Sequence, residues 1–194
     1  MFAHGPGRRR LLAPRNVLLY VTTVLLLIAV VLAVLTYLYD PANDGAGQRF
    51  DPPKQLATGD TAPPLQLRTL DGRAFGDAHL RGKPVWLSFW SISCEPCTAE
   101  IPARIALSEA ARARGVASLA INVGDTPAEV TAYLRAAGYG ALPVALDQQF
   151  LTAETYTAYY MPYHVFIGSD GVVRRAESSR MTAPQMREAL DSLE

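Results

Sequence analysis

The chain has 194 residues, 49% of them hydrophobic and 19% charged, with 18 basic and 18 acidic side chains, two cysteines and three histidines. That length suits one domain of about 100–200 residues plus an appendage, and the balanced charge excludes the concentrated basic surface of a nucleic-acid binder. Two cysteines exclude a disulfide scaffold, three histidines fit a structural zinc site poorly, and composition excludes collagen, coiled coil and disorder.

No charged residue falls between Asn16 and Tyr39, and Val21 to Leu35 is almost entirely Val, Leu, Ile and Ala. At ~1.5 Å per residue such a helix crosses a ~30 Å hydrocarbon layer. Arg8, Arg9, Arg10 and Arg15 precede it, and Asp40 and Asp44 follow. Basic residues hold their side cytoplasmic, so the bulk of the chain is expected outside the cytoplasmic membrane. Tyr20, Tyr37 and Tyr39 stand where an interfacial aromatic belt sits. The competing readings are a cleaved signal peptide, which wants a shorter apolar run and a small-residue cleavage site, and a twin-arginine export signal at Arg8-Arg9-Arg10. Residues 1–16 therefore read as a cytoplasmic basic segment, 17–39 as an uncleaved anchor and 40–58, rich in Pro, Gly, Asp and Asn, as a tether. Beyond residue 40 there are 14 basic and 17 acidic side chains, a net charge of −3.

Residues 59–194 read as one domain. Leu65-Gln66-Leu67, the turn at Asp71-Gly72 and Ala74-Phe75 form a hairpin pattern. Pro84 to Trp90 is an apolar and aromatic run suited to a buried central strand. A helix is predicted over Thr98–Arg114, closed by Gly115, and a strand over Ala117–Val123. Thr126-Pro127-Ala128-Glu129 then opens a helix running to about Ala137 before Gly138. Leu142–Leu146 reads as a strand and Gln149–Thr157 as a short helix. Tyr163–Ile167, the turn at Ser169-Asp170-Gly171 and Val172–Ala176 form a late hairpin. A last helix is capped by Thr182 and ends near Leu193. Alternating strands and helices followed by a hairpin predict an α/β sandwich, a mixed central sheet flanked by helices.

Both cysteines lie in Cys94-Glu95-Pro96-Cys97, between the buried strand and a helix. A thiolate at a helix N-terminus faces unpaired N–H groups and the positive end of the dipole, which favour its charge. Cys94 is thus the expected nucleophile and Cys97 the resolving thiol. A disulfide closing so short a loop removes little chain entropy, roughly 2 kcal/mol, so it is a poor staple. Zinc needs two further ligands, and His79 and His164 show no finger-like spacing.

The order GDTAPPLQLRTLDG, LRGKPVWLSFWSISCEPCTAEIP, AINVGD, LPVALD and MPYHVFIGSDGVV resembles membrane-anchored TlpA/ResA-type thiol-disulfide oxidoreductases. These are redoxin-like (AhpC/TSA-like) members of the thioredoxin superfamily, and the resemblance runs from Gly59 to about Leu193. It implies a thioredoxin-like fold, a redox-active disulfide in place of any organic cofactor, and no metal. It makes Pro162 the cis-proline facing the dithiol and gives Met161 the pairing with a substrate strand. Trp90, as the surviving aromatic of the loop, joins Met161, Glu95 and Pro96 on the expected substrate-binding side. Glu100 matches the acid of the CxxCxxE pattern; three residues after Cys97, it shares a helical face with Ile101 and Arg104 and is expected to exchange protons with the dithiol. Pro102 is expected to kink that helix. The negative charge of Glu95 opposes thiolate formation at Cys94 and favours a reductant over an oxidase.

Three positions depart from the pattern. Ser93 stands where Trp is common, Ser88 where thioredoxins carry a buried acid, and Tyr163-His164 where small hydroxyl residues follow the cis-proline. The partner surface is expected to differ there, with His164 either near a cysteine or an ordinary strand histidine. The resemblance implies protein disulfides as substrates, apocytochrome c or copper-site proteins among them, and a membrane thiol electron donor. A copper-binding assembly factor using Cys94, Cys97 and His164 is the alternative, since thiolate and imidazole suit copper; a thiol peroxidase is a third reading.

Overall fold

The structure is a computed structural model that describes residues 14–39 and 54–193. The arginines at 8–10 and most of the expected tether lie outside the described residues. Two compact units divide the chain. The first contains helix α1 (Pro14–Leu38), whose segment Asn16–Leu38 is long and apolar enough to cross a membrane. Its threonine hydroxyls are satisfied within the helix: Thr22, Thr23 and Thr36 donate to carbonyls three or four residues earlier. A lipid environment offers them no other partner.

The second unit carries the elements β1 (Gln66–Thr69), β2 (Ala74–Gly76), α2 (Asp77–Leu80), β3 (Val85–Trp90), α3 (Glu95–Ala113), β4 (Ala117–Val123) and α4 (Pro127–Ala137), followed by β5 (Val144–Asp147), α5 (Leu151–Thr155), β6 (Tyr163–Ile167), β7 (Val173–Glu177) and α6 (Ala183–Asp191). The strands form one mixed sheet in the order β2-β1-β5-β4-β3-β6-β7. β4 runs parallel to both β3 and β5, and the remaining pairings are antiparallel. Every residue of β3 is buried, as a strand covered on both faces requires.

Alternation along β3 divides the core. Val85, Leu87 and Phe89 face a cluster with Leu119, Ile121, Tyr163, Val165 and Tyr156. On the other face, Trp86 packs with Phe166 and residues of α3 and α6, while Trp90 packs with Cys97, Ile101 and residues of α4. Residues 55–58, assigned to the tether by composition, join this unit. Gln55 Nε2 donates to Ser178 Oγ and Thr58 Oγ1 to the Arg174 carbonyl, and Leu56 packs on the core.

Several boundaries differ from the sequence expectation for physical reasons. α3 begins at Glu95, not Thr98, because the Cys94 sulfur caps it and Pro96 pre-sets its first turn. It continues through Pro102, which is exposed, so water can meet the Thr98 carbonyl that the proline leaves without an N–H. β5 starts at Val144 because Pro143 has no N–H to give a ladder and Leu142 closes a turn onto the Tyr139 carbonyl. α5 is confined to five residues between Phe150 (φ 61°) and Thr157 (φ 55°), both left-handed. α4 follows its signature closely: Thr126 and Glu129 form a reciprocal capping box, and Gly138 ends it in the left-handed region at φ 72°.

Candidate active site at the head of helix α3

β3, an interior strand of the sheet, ends at Trp90, and the loop from Ser91 to Ser93 turns the chain into α3. That loop is tied down. The Ile92 N–H donates to Asp125 Oδ2 at 2.8 Å, and Asn122 Nδ2 donates to the same oxygen at 2.8 Å. Asp125 lies within the AINVGD run, whose resemblance carried no role for it.

Cys94 and Cys97 are joined in a disulfide with S–S 2.01 Å and Cα–Cα 5.2 Å. Cys94 is the N-cap of α3: its Sγ accepts from the Cys97 N–H at 3.3 Å, and its carbonyl accepts from the Thr98 N–H at 3.0 Å. Cys94 is half-buried and Cys97 only 1% exposed. The outer sulfur is therefore the one a partner can reach. The inner one is shielded by Trp90, Ile101 and the residues of α4. Glu95 and Pro96 are both exposed beside Cys94.

The Met161–Pro162 peptide bond is cis. Tyr163 pairs with Phe89, so Pro162 stands beside the end of β3 from which the cysteine loop emerges. Half-buried Met161 packs against the cluster that holds both cysteines, which brings the expected strand-pairing residue to the dithiol.

Glu100 and His164 are brought together beneath this surface. Glu100 is 5% exposed and His164 is fully buried, and Glu100 Oε1 lies 2.8 Å from His164 Nε2 with the N–H tilted off the line of contact. Glu100 Oε2 accepts from the Met181 N–H at 3.2 Å. The indole Nε1 of Trp86 donates to His164 Nδ1 at 3.4 Å. Burial pushes His164 below its ordinary value, with Glu100 pulling it back up and Arg104 adding to the depression. The ring is thus neutral at pH 7, and because Nδ1 accepts from Trp86 the proton resides on Nε2, facing Glu100. Arg104, 2% exposed, lays its guanidinium over the Trp86 ring at 4.0 Å and donates to Ser118 Oγ at 3.4 Å.

Two of the expected residues lie inside the core. Trp90 is 3% exposed, stacked near Tyr133 and packed on Cys97, so it backs the dithiol instead of presenting a face to substrate. Tyr163 and His164 point into opposite faces of the sheet core and alter no partner surface: Tyr163 packs with Phe89 and Tyr156, and His164 with Trp86. His164 Nδ1 accepts from Trp86 and Nε2 faces Glu100 inside the core, away from solvent, which counts against it as a copper ligand. Among the described residues no group of three or more His, Cys, Asp or Glu side chains could hold a metal ion. The sequence pattern had signalled neither the pairing of Glu100 with His164 nor the placement of Arg104 over Trp86.

Comparison with known proteins shows the family and the fold. Residues 58–176 match the AhpC/TSA family. The chain is 31% identical over 138 residues to the thiol-disulfide oxidoreductase ResA of Geobacillus thermodenitrificans, covering 71% of this chain and 79% of that protein. It is 27% identical over 138 residues to ResA of Bacillus subtilis, covering 71% and 76%. The fold is shared with a putative thiol:disulfide interchange protein DsbE from Chlorobium tepidum, at TM-score 0.65 and 24% identity over 72% of this chain and all of that one. It is also shared with a secreted Mycobacterium tuberculosis disulfide oxidoreductase homologous to E. coli DsbE, at TM-score 0.60 and 22% identity over 66% of this chain and 96% of that one.

Proposed function

The chain belongs to the AhpC/TSA family, as a ResA-type thiol-disulfide oxidoreductase with a thioredoxin-like fold, and from that premise we propose that Cys94 and Cys97 reduce disulfides of proteins assembled outside the cytoplasmic membrane. The observation that carries the residue roles is the asymmetry of the pair, an accessible sulfur at the helix cap and a buried one a turn inside.

In the reduced enzyme the Cys94 thiolate, stabilised by the Cys97 N–H and the helix dipole, attacks one sulfur of a target disulfide. A mixed disulfide forms and the other target sulfur leaves as thiolate. Cys97 passes its proton to Glu100, one turn along the same helical face, and its thiolate attacks Cys94 Sγ. The target leaves fully reduced, having gained two electrons, and the Cys94–Cys97 disulfide is restored. A membrane thiol donor then returns two electrons to the pair. The chemistry is held entirely in sulfur and calls for no organic cofactor. Met161, ahead of cis-Pro162, offers backbone groups to an extended substrate strand, with Glu95 and Pro96 on the same exposed rim.

Residues 17–39 serve as the anchor, residues 1–16 stay cytoplasmic and the domain from about residue 59 works outside, on a tether of residues 40–58. The Glu95 charge beside Cys94 biases the couple toward a thioredoxin-like potential near −270 mV and away from the strongly oxidising region near −120 mV. Apocytochrome c and copper-site proteins are the proposed substrates.

Trapping tests the assignment. Cys97→Ala is expected to accumulate mixed disulfides through Cys94 in membranes, and mass spectrometry of the captured chains names the substrate. Equal capture by Cys94→Ala would overturn the assignment of the nucleophile.

A further inference from the structure

The connection from β5 to β6 carries two features that the mechanism above leaves unused. Among the described residues of this unit, the large apolar side chains left exposed are Phe150, Leu151, Tyr159 and Tyr160, at 56%, 61%, 50% and 65%. Globular domains rarely gather exposed apolar side chains in one place unless something docks there. The same connection holds Phe150 at φ 61° and Thr157 at φ 55°, the left-handed residues other than glycine among those described. Bulky and β-branched side chains avoid that region, and such strain persists where it places a functional group.

Topology sets these side chains around Cys94. β3, β4 and β5 run parallel, so the loops that follow them leave one end of the sheet, and β6, antiparallel to β3, begins at that end. β3, which leads to Cys94, lies between β4 and β6. On the β4 side, the Phe150 ring covers Gly124: a Cβ there would stand 2.8 Å from the Phe150 Cζ. On the β6 side, Thr157 turns the chain so that the Ala158 N–H meets the Ala153 carbonyl at 2.8 Å, and Tyr159 and Tyr160 stay outside ahead of Met161. Neighbouring strands are ~4.8 Å apart, so the two groups flank the Cys94 loop at roughly 10 Å, about three residues of extended chain. The charged residues of segments 91–99, 124–131 and 148–162 are Glu95, Asp125, Glu129 and Glu154, all acidic.

We infer that Phe150 on one side and Tyr159–Tyr160 on the other are the walls of a cradle over Cys94. Its occupant is an extended, basic segment of the target protein, with apolar side chains about three residues from its disulfide-bonded cysteine. The inference rests on the reading of Cys94 as the nucleophile that reduces protein disulfides. Cys94 is half-buried between exposed rings, so a slender chain reaches it while apolar side chains of that chain cover the aromatic walls. The acidic rim attracts a basic segment and repels an acidic one.

The test follows the reduced full chain in detergent micelles as it consumes short peptides whose one cysteine carries a thionitrobenzoate disulfide. Each turnover oxidises the Cys94–Cys97 dithiol to its disulfide, gives two electrons to the peptide disulfide, and frees one peptide thiol and one coloured thionitrobenzoate. A basic peptide with phenylalanine three residues from the cysteine on each side is expected to react about tenfold faster than its serine counterpart, which corresponds to ~1.4 kcal/mol. It is also expected to outpace a version with aspartate for arginine, by a margin that closes in high salt, and a version locked as a helix by a lactam. Phe150→Gly and Tyr160→Ser are each expected to shrink the phenylalanine-to-serine ratio about threefold, the two walls adding as separate sites do. Glycine adopts the left-handed backbone freely and Tyr160 is exposed, so neither change puts folding at risk. Equal rates for the phenylalanine and serine peptides overturn the cradle, as does a ratio unchanged by both variants. A helical or acidic peptide that reacts as fast as the extended basic one overturns the occupant assigned to it. A dithiol that also fails to reduce the small disulfide dithiobis(nitrobenzoate) refutes the redox reading itself, whereas one that reduces it but treats all peptides alike refutes only the cradle.

Discussion

Glu100→Ala places a charge in the core without its counter-charge, and the size of the penalty follows from the surroundings of Arg104. That guanidinium is 2% exposed. Its Nε and Nη1 have no hydrogen-bond partner among the described protein atoms, and its one bond to Ser118 is long at 3.4 Å. Burial pushes Arg104 down to about 9, against the upward pull of Glu100, so the side chain stays charged at neutral pH. Glu100 makes no direct ion pair with Arg104 and acts on it through space; losing that charge and leaving the buried Met181 N–H without its acceptor costs about 1–3 kcal/mol, a sizeable share of the ~5–15 kcal/mol that holds a domain together. Arg104→Met in the Glu100→Ala background removes the stranded charge and keeps the apolar stem over Trp86. It gives up a desolvated cation–π contact of about 2 kcal/mol. The double variant is therefore expected to be more stable than Glu100→Ala alone. Urea unfolding of the full chain in micelles reads this directly, because both tryptophans, Trp86 and Trp90, lie in this core. A loss under about 1 kcal/mol for Glu100→Ala, below the cost of leaving a buried polar group unpaired, would refute the reasoning. So would an Arg104→Met substitution that deepens the loss.

Asp125→Ala is expected to cost about 2 kcal/mol in the same titration, since one carboxylate oxygen accepts from both Ile92 and Asn122. It is also expected to speed reduction of the disulfide by dithiothreitol, because the loop before Cys94 loses its tie. Acid should destabilise the protein through His164. Its folded value is depressed by burial, so as pH falls through about 6.5 the unfolded chain binds a proton that the native ring resists. Stability then declines with acidification below that point, and His164→Gln is expected to flatten the slope between pH 6.5 and 5. An unchanged slope in the variant would show that other groups set it.

The parts of the fold that were legible in the sequence are those written in local chemistry. The uniformly apolar run of β3, the Thr126–Glu129 capping box and the Gly138 stop each act within a few residues, and each stands where its pattern placed it. The errors have local causes of another kind. Cysteine is not a usual cap residue, so the sequence pattern places the start of α3 too late. Phe150 and Thr157 give no sign in sequence that they adopt positive φ, so the pattern makes α5 too long. The site was half legible for the same reason. Cys94, Cys97 and Glu100 follow one another at helical spacing. The contacts that surround the acid join residues far apart in the chain: Trp86 to His164 across 78 positions and Glu100 to Met181 across 81. No periodicity in sequence carries such a pairing.

Ser88 and His164 show what the pairing accomplishes. They are cross-strand neighbours on β3 and β6, both buried on the face that α3 covers. A carboxylate at position 88 would bring its own charge into that space beside Arg104 and Glu100. With serine there, the sheet contributes a neutral imidazole through His164 and the helix contributes both charged side chains, Glu100 and Arg104, one turn apart. The buried group is then electrically balanced without a direct acid on the strand, and its negative end lies on the same helical face as Cys97. An acid introduced by Ser88→Asp would break that balance by adding a second carboxylate. The departure at Ser88 and the departure at His164, unrelated when read along the chain, are thus one substitution in space.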